Sequence, residues 1–207
     1  EYAGICGVTK EELLSQMSED IDMLADAQGL SREATVEKLK EHYDGYHFSS
    51  VSPDVFNPYS LFNCFSERKF GKYWFSSGTP TYLINMLNKF DVLPASIAPI
   101  EALASAFDAP TEKMKTITPL LYQSGYVTIK DYDPDIELYT LDIPNKEIRV
   151  GLFENLLPNY VDGIYAERGG VAIARMSGLV RRRDMDGALH LLQDYLETVP
   201  YCNVTNY

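Results

Sequence analysis

The sequence predicts a mostly helical protein with one small β-hairpin, and three observations lead there. Apolar residues recur at helical spacing as far as about residue 92, and capping residues punctuate those runs. A single stretch near residue 126 then switches to alternation, the period of a half-buried strand.

The elements follow in order. Thr9-Lys10-Glu11-Glu12 has the form of a capping box, and Leu13, Met17, Ile21 and Leu24 then share one face of a helix that runs until Gly29. Ser31 caps a second helix carrying Val36, Leu39 and Tyr43, which ends at Gly45. Asn57-Pro58 opens a third with Leu61, Phe62 and Phe65 inward, and Thr79-Pro80 opens a fourth through Leu83, Ile84, Leu87 and Phe90. The stretch from Pro94 to Pro110 is rich in Ala and Pro and reads as a connector with at most a short helix. Leu120-Leu121-Tyr122-Gln123-Ser124-Gly125 is a helix stopped by glycine; Tyr126 to Tyr132 and Ile136 to Leu141 are two strands about an Asp133-Pro134-Asp135 turn. Helix followed by hairpin is the C-terminal part of a winged helix-turn-helix. Asn145 then caps a helix through Ile148, Leu152 and Leu156. Further helices near Val171 to Arg183 and Asp184 to Thr198 bury Leu189, Leu192 and Leu196. The expected organisation is a helical region over 1–92, a connector and winged-helix-like domain over 93–145, and C-terminal helices over 146–207.

Composition excludes several classes. With 45% hydrophobic and 12% aromatic residues in 207, the chain fills a core and is not a disordered segment. Cys6, Cys64 and Cys202 are odd in number, far apart and without CxxC spacing, so they read as reduced thiols of a cytoplasmic protein. The longest uncharged stretch, Tyr73 to Asn88, is interrupted by polar residues and falls short of the roughly 20 apolar residues of a membrane helix. No membrane span is expected. A formal net charge of −12 opposes nucleic acid over most of the surface. Arg181-Arg182-Arg183, beside Asp184 and Asp186, reads first as a solvated helix end and second as a contact for phosphate or an acidic partner.

Catalytic signatures are missing. No GxxxxGK[ST] loop, no GxGxxG after a strand and no HExxH occurs, and His42, His47 and His190 are too scattered for a metal site. Pro53-Asp54 and Pro134-Asp135 imitate the opening of a PD-(D/E)XK nuclease motif. Downstream of Asp135, however, Glu137-Leu138-Tyr139 and Glu147-Ile148-Arg149 lack the lysine that would share a metal-bound water. No catalytic and no metal-binding residue is therefore assigned. Two segments admit more than one reading. Tyr43-Asp44-Gly45-Tyr46-His47-Phe48 pins a helix end to the next cap or turns a tyrosine toward a ligand. Gly78-Thr79-Pro80, behind Trp74-Phe75, starts a helix or holds exposed backbone against a flat ligand.

Four segments in order, Tyr43-Asp44-Gly45-Tyr46-x-Phe48, Asn57-Pro58-Tyr59-Ser60-Leu61, Tyr73-Trp74-Phe75-x-Ser77-Gly78-Thr79-Pro80 and Leu121-Tyr122-Gln123-Ser124-Gly125-Tyr126-Val127-Thr128-Ile129-Lys130, resemble a large bacterial family. Its members look like AAA-ATPase-like domains fused to a C-terminal PD-(D/E)XK nuclease-like domain. The resemblance implies that this chain is the middle of that architecture. A Walker-containing core would precede a segment like Tyr2 to Glu12, and the nuclease-like domain would follow one like Pro200 to Tyr207. It also implies that residues 1–92 form a lid whose Gly78, Thr79 and Pro80 line the adenine side of ATP in the parent protein, whereas the isolated chain needs no cofactor. Expected partners are the parent's own ATPase core and nuclease-like domain, with nucleic acid open for the parent. Two functions stay open: a non-catalytic lid and winged-helix module coupling nucleotide state to the nuclease-like domain, and a docking module for nucleic acid or protein without nucleotide dependence.

Overall fold

The computed structural model describes residues 6–49, 52–76, 81–93, 96–111, 114–160, 171, 174–176, 178–180 and 182–198. Two compact units divide between Phe153 and Glu154. The first carries every described residue of the four segments that resemble the family.

Its helical part begins with α1 (Lys10–Gln16) and α2 (Ser18–Gln28). Thr9 and Glu12 form the reciprocal capping box, each satisfying an amide of the other. The single helix expected from Thr9 to Gly29 is in fact two. Ser15 Oγ bonds back to the Glu11 carbonyl at 2.7 Å, and Arg32 holds both the carbonyl and the hydroxyl of Ser18 at 3.1 and 3.0 Å, so backbone groups at the junction are drawn away from a regular ladder. Gly29, at φ +62°, closes α2 in the left-handed conformation. α3 (Arg32–Tyr43) starts under a Ser31 cap, and α4 (Pro58–Glu67) under an Asn57 cap with proline at its first position. Leu61 of α4 is fully buried, but Phe62 is 52% exposed, contrary to its expected inward placement. Leu61 and Cys64 take the inward stripe of α4 and leave Phe62 outside it.

A common core joins these helices. Val8, Leu13, Ile21, Leu24, Val36, Leu39, Tyr43, Phe56, Leu61, Cys64 and Tyr73 pack together, with Met17, Phe65 and Phe70 at its edge. Tyr43 is its polar anchor: its hydroxyl accepts from the Gly71 amide at 2.9 Å and donates to the Gly71 carbonyl at 3.2 Å. Burial pushes the Cys64 thiol up to about 11, partly opposed by the Tyr43 side chain.

The chain continues through α5 (Tyr73–Ser76) and α6 (Thr81–Lys89), whose Leu83, Ile84, Met86 and Leu87 are buried. The region read as a connector holds a strand, β1 (Ile100–Ala102), and a short helix, α7 (Ala104–Phe107). Then come α8 (Thr118–Gln123), β2 (Thr128–Asp133), β3 (Leu138–Asp142) and α9 (Lys146–Tyr160). The sheet is therefore three-stranded rather than a bare hairpin, antiparallel throughout and ordered β1-β3-β2. β1 was hidden because three residues without alternation carry no period; Leu141, Thr140 and Tyr139, some forty positions away, define it by pairing.

A bulge between Ile129 and Asp131 leaves Lys130 as an extra residue in β2. Its ammonium donates to the carbonyls of Gly45 at 2.5 Å and Pro144 at 3.3 Å, which ties the sheet to the end of α3. Asn145 reinforces that joint: its amide donates to the Asp44 carbonyl at 3.0 Å while its oxygen caps α9 through Ile148 N at 3.1 Å. Phe107 lies edge-on to Tyr122 and Tyr139, so α7 rests against both α8 and the sheet.

In the second unit, α10 (Met185–Thr198) begins at Asp184, whose carboxylate accepts from Gly187 N at 2.9 Å. Ala188 is buried, but Leu189 is 59% and Leu192 37% exposed, against the expectation that both are covered. Their period identifies the helix and does not say which face meets a neighbour. The Leu196 side chain, Arg181 and Cys202 lie outside the described residues; Arg182 and Arg183 are exposed.

Candidate functional site

Backbone pairing sets part of the lining of a cavity. Tyr46 and Val55 exchange both amide bonds, at 3.2 and 2.9 Å, and so close the loop between them. Phe56 pairs likewise with Val8, and Asn57 donates its amide to the Tyr43 carbonyl at 2.9 Å. These pairings hold Tyr46, Phe48, Val55, Phe56, Asn57 and Pro58 along the cavity. Trp74 of α5, the run Tyr122 to Gly125, Val127, Thr128 and Cys6 complete its described lining. The space they line is about 380 Å³, and residues from all four family-like segments contribute to it.

Gly125 makes another part of the lining possible. Its φ of +74° suits glycine, and a methyl group there would sit 3.5 Å from the Tyr46 ring and 3.7 Å from the indole of Trp74. The Tyr46 and Phe48 rings are nearly parallel, 6.3 Å apart with 17° between planes. Among the described residues that line it, none carries a formal charge.

Most lining polar groups serve the fold. Tyr46 donates its hydroxyl proton to the Gly125 carbonyl at 3.3 Å. Thr128 Oγ1 accepts from His47 N and donates to His47 O, both at 2.8 Å. Gln123 donates to the carbonyls of Phe107 and Ala109, and Asn57 Oδ1 accepts from Ser60 N. Burial raises the Tyr46 phenol well above its ordinary range, with the Asn57 side chain opposing and the Glu147 charge adding to it, so Tyr46 stays neutral.

Behind Trp74 stands a buried acid. Glu147, in the first turn of α9, is 1% exposed and accepts the Trp74 amide on Oε1 at 2.9 Å. It thereby satisfies an otherwise orphan donor at the start of α5. Glu147 Oε2 and Ser60 Oγ are both buried, and neither makes a geometrically sound hydrogen bond. One turn further along α9, a Cβ on Gly151 would collide with the ring of Phe75. Residues 147 and 151 together form the seat on which α5 rests.

Burial raises the Glu147 carboxyl, while the Trp74 amide, the Ser60 hydroxyl and the Tyr73 amide oppose the rise. A carboxyl raised on folding favours the protonated folded state; that contribution is complete below the unfolded pKa and fades as pH climbs through the folded one. Glu147→Gln keeps an acceptor for Trp74 and removes the titration. The expected result is a stability difference, variant minus wild type, that grows in the variant's favour from pH 4 toward neutrality, read on the scale of about 1.4 kcal/mol per pKa unit. Urea melts across that range check it; a difference that is flat with pH, or opposite in slope, defeats the assignment.

Gly78, Thr79 and Pro80, the residues singled out from the sequence, lie outside the described residues. Trp74 and Tyr73 of the same segment are placed at the cavity and in the core. Of the aromatic run, Tyr43 packs in the core while Tyr46 and Phe48 line the cavity. His47 faces Asp54 at 3.2 Å. Among the described residues no three His, Cys, Asp or Glu converge as metal ligands, and no helix is long and apolar enough to cross a membrane. Sequence reasoning named Glu147 and Lys130 but missed their structural roles, and it did not single out Gly151. Only Glu147 carried a signal, an acid in a helix first turn, and that is also the usual dipole complement.

No family model matches the chain, and no solved structure matches it. It is similar to an uncharacterised protein from the vnfD 5′ region of Azotobacter chroococcum mcd 1, 27% identical over 209 residues and 97% of this chain. The chain spans 36% of that relative's length.

Proposed function

We propose that this chain is the non-catalytic lid and winged-helix-like module of an AAA-ATPase-like protein, coupling nucleotide state to a downstream nuclease-like domain. One observation carries the reading: the described parts of four segments scattered over about 90 positions meet at a single cavity, and Trp74 in its lining stands four positions before Gly78 of the Gly78-Thr79-Pro80 motif in the sequence. The winged-helix reading draws support from topology. A strand, two helices and a hairpin follow one another, with β1 beside β3, and α8 leads into the hairpin. Coupling draws support from Lys130 and Asn145, which bind hairpin, α9 and the end of α3 to one another.

The residues present fit part of ATP. An uncharged wall of aromatic faces suits the adenine ring, and it offers a triphosphate no cation. The phosphates would be held by the Walker-containing core that the resemblance implies. In the full-length protein, Gly78→Val is expected to weaken ATP binding at least tenfold by calorimetric titration, on the order of 1.4 kcal/mol. Equal affinity in variant and wild type rejects the nucleotide role of that turn.

The rival docking reading meets an electrostatic obstacle at the wing. Asp131, Asp133, Asp135 and Glu137 at the tip are all exposed, while the ammonium of Lys130 is turned to backbone carbonyls. Duplex DNA is therefore expected not to bind this chain even at low salt, where phosphate contacts are strongest. Salt-sensitive micromolar binding in fluorescence anisotropy would reverse that expectation and favour the docking module, with Arg181, Arg182 and Arg183 the first to mutate.

A further inference from the structure

We infer that the cavity lined by Tyr46, Phe48 and Trp74 binds an uncharged, planar aromatic ring of nucleobase size by stacking, and that phosphate contributes nothing to binding there. The inference deepens the proposed nucleotide role and rests on its placement of the ligand at this cavity. At about 380 Å³ the space lies at the low end of the ~300–1,000 Å³ typical of small-molecule sites. That admits a base and part of a sugar rather than a large cofactor.

The wall chemistry narrows the class. Tyr46 and Phe48 contribute two nearly parallel rings to the lining, and Trp74 contributes an indole. Such faces attract any flat π-system, largely without regard to its hydrogen-bonding pattern. Tyr46, Gln123 and Thr128 already spend hydrogen bonds on backbone groups of the fold, which leaves shape and stacking as the main source of affinity. A carboxylate or phosphate inside would lose its hydration and meet no cation among the described lining residues.

Trp74 is the sole tryptophan of the chain, so its emission reports the site directly. The 207-residue chain is titrated with adenosine, with ATP and with ribose 5-phosphate, under red-edge excitation of the indole. Adenosine and ATP are expected to change the emission saturably with dissociation constants within about threefold of each other, and ribose 5-phosphate to leave it unchanged. Phe48, 42% exposed, can be truncated without opening the core; Phe48→Ala is expected to weaken adenosine about tenfold, as loss of one stacking face implies. An unchanged signal with adenosine at millimolar concentration overturns the inference. So does ATP binding more than about tenfold tighter than adenosine, or unaltered affinity in Phe48→Ala. The Gly78→Val titration reads separately: its failure with adenosine still binding here removes the switch role alone, and its success with a silent Trp74 removes this site alone.

Discussion

Gly45→Val is expected to cost the first unit on the order of 3 kcal/mol or more. Gly45 sits at φ +93°, where a side chain costs about 1–3 kcal/mol. A Cβ there would also collide with the Pro144 carbonyl and come within 2.9 Å of Lys130 Nζ. The carbonyl is main chain and cannot rotate aside as a side chain would, so overpacking adds about 1–3 kcal/mol. For a chain of this size the melting temperature should fall by roughly 10 °C. Thermal melts followed by Trp74 emission report the unit that holds the substitution. A change within about 0.5 kcal/mol would mean that the joint between α3 and the sheet is looser than its contacts imply.

Gly151→Leu is the second large effect, and its sign is informative. In an isolated helix, replacing an interior glycine with leucine gains close to 1 kcal/mol. Here the new side chain grows into the ring of Phe75, and the expected outcome is a net loss of about 1–3 kcal/mol together with a shifted Trp74 emission. Phe75→Ala in the same molecule should restore part of the loss, since it vacates the colliding volume. A double-mutant cycle measures that restoration as a coupling of about 0.5–3 kcal/mol, and additive effects would show that α5 does not rest on α9 through this pair.

What the sequence disclosed follows from the range of the forces involved. Thr9, Ser31, Asn57 and Asn145 were readable as caps because a cap is settled within three residues, and all four accept the expected amide. Leu13, Leu24, Leu39 and Leu152 were readable as core because their period is helical, and all are fully buried. β1 was not, since its pairing to β3 is long-range and its residues are ordinary. α5 was missed as well, because a four-residue helix has no period and its Trp74 amide is met by Glu147, 73 positions away. The cavity was half legible: each of its aromatic segments stood out, but their meeting depends on the positive φ of Gly125 and the loop closed by Tyr46 and Val55. The Gly78-Thr79-Pro80 turn keeps the standing it had as a sequence motif.

The thiol of Cys64 amounts to a clock for the core. Fully buried and with its ionisation pushed up to about 11, it offers alkylating reagents almost no thiolate while the helices stay packed. Cys6, exposed on the same unit, reacts without any opening and supplies the rate of an accessible thiol. The ratio of the two rates in a Cys202→Ser background is then a free energy of opening at α4, measured under native conditions. An occupant of the neighbouring cavity that steadies Phe56 and Asn57 would slow that clock in proportion to its concentration, giving a readout of binding free of any optical change at the ligand.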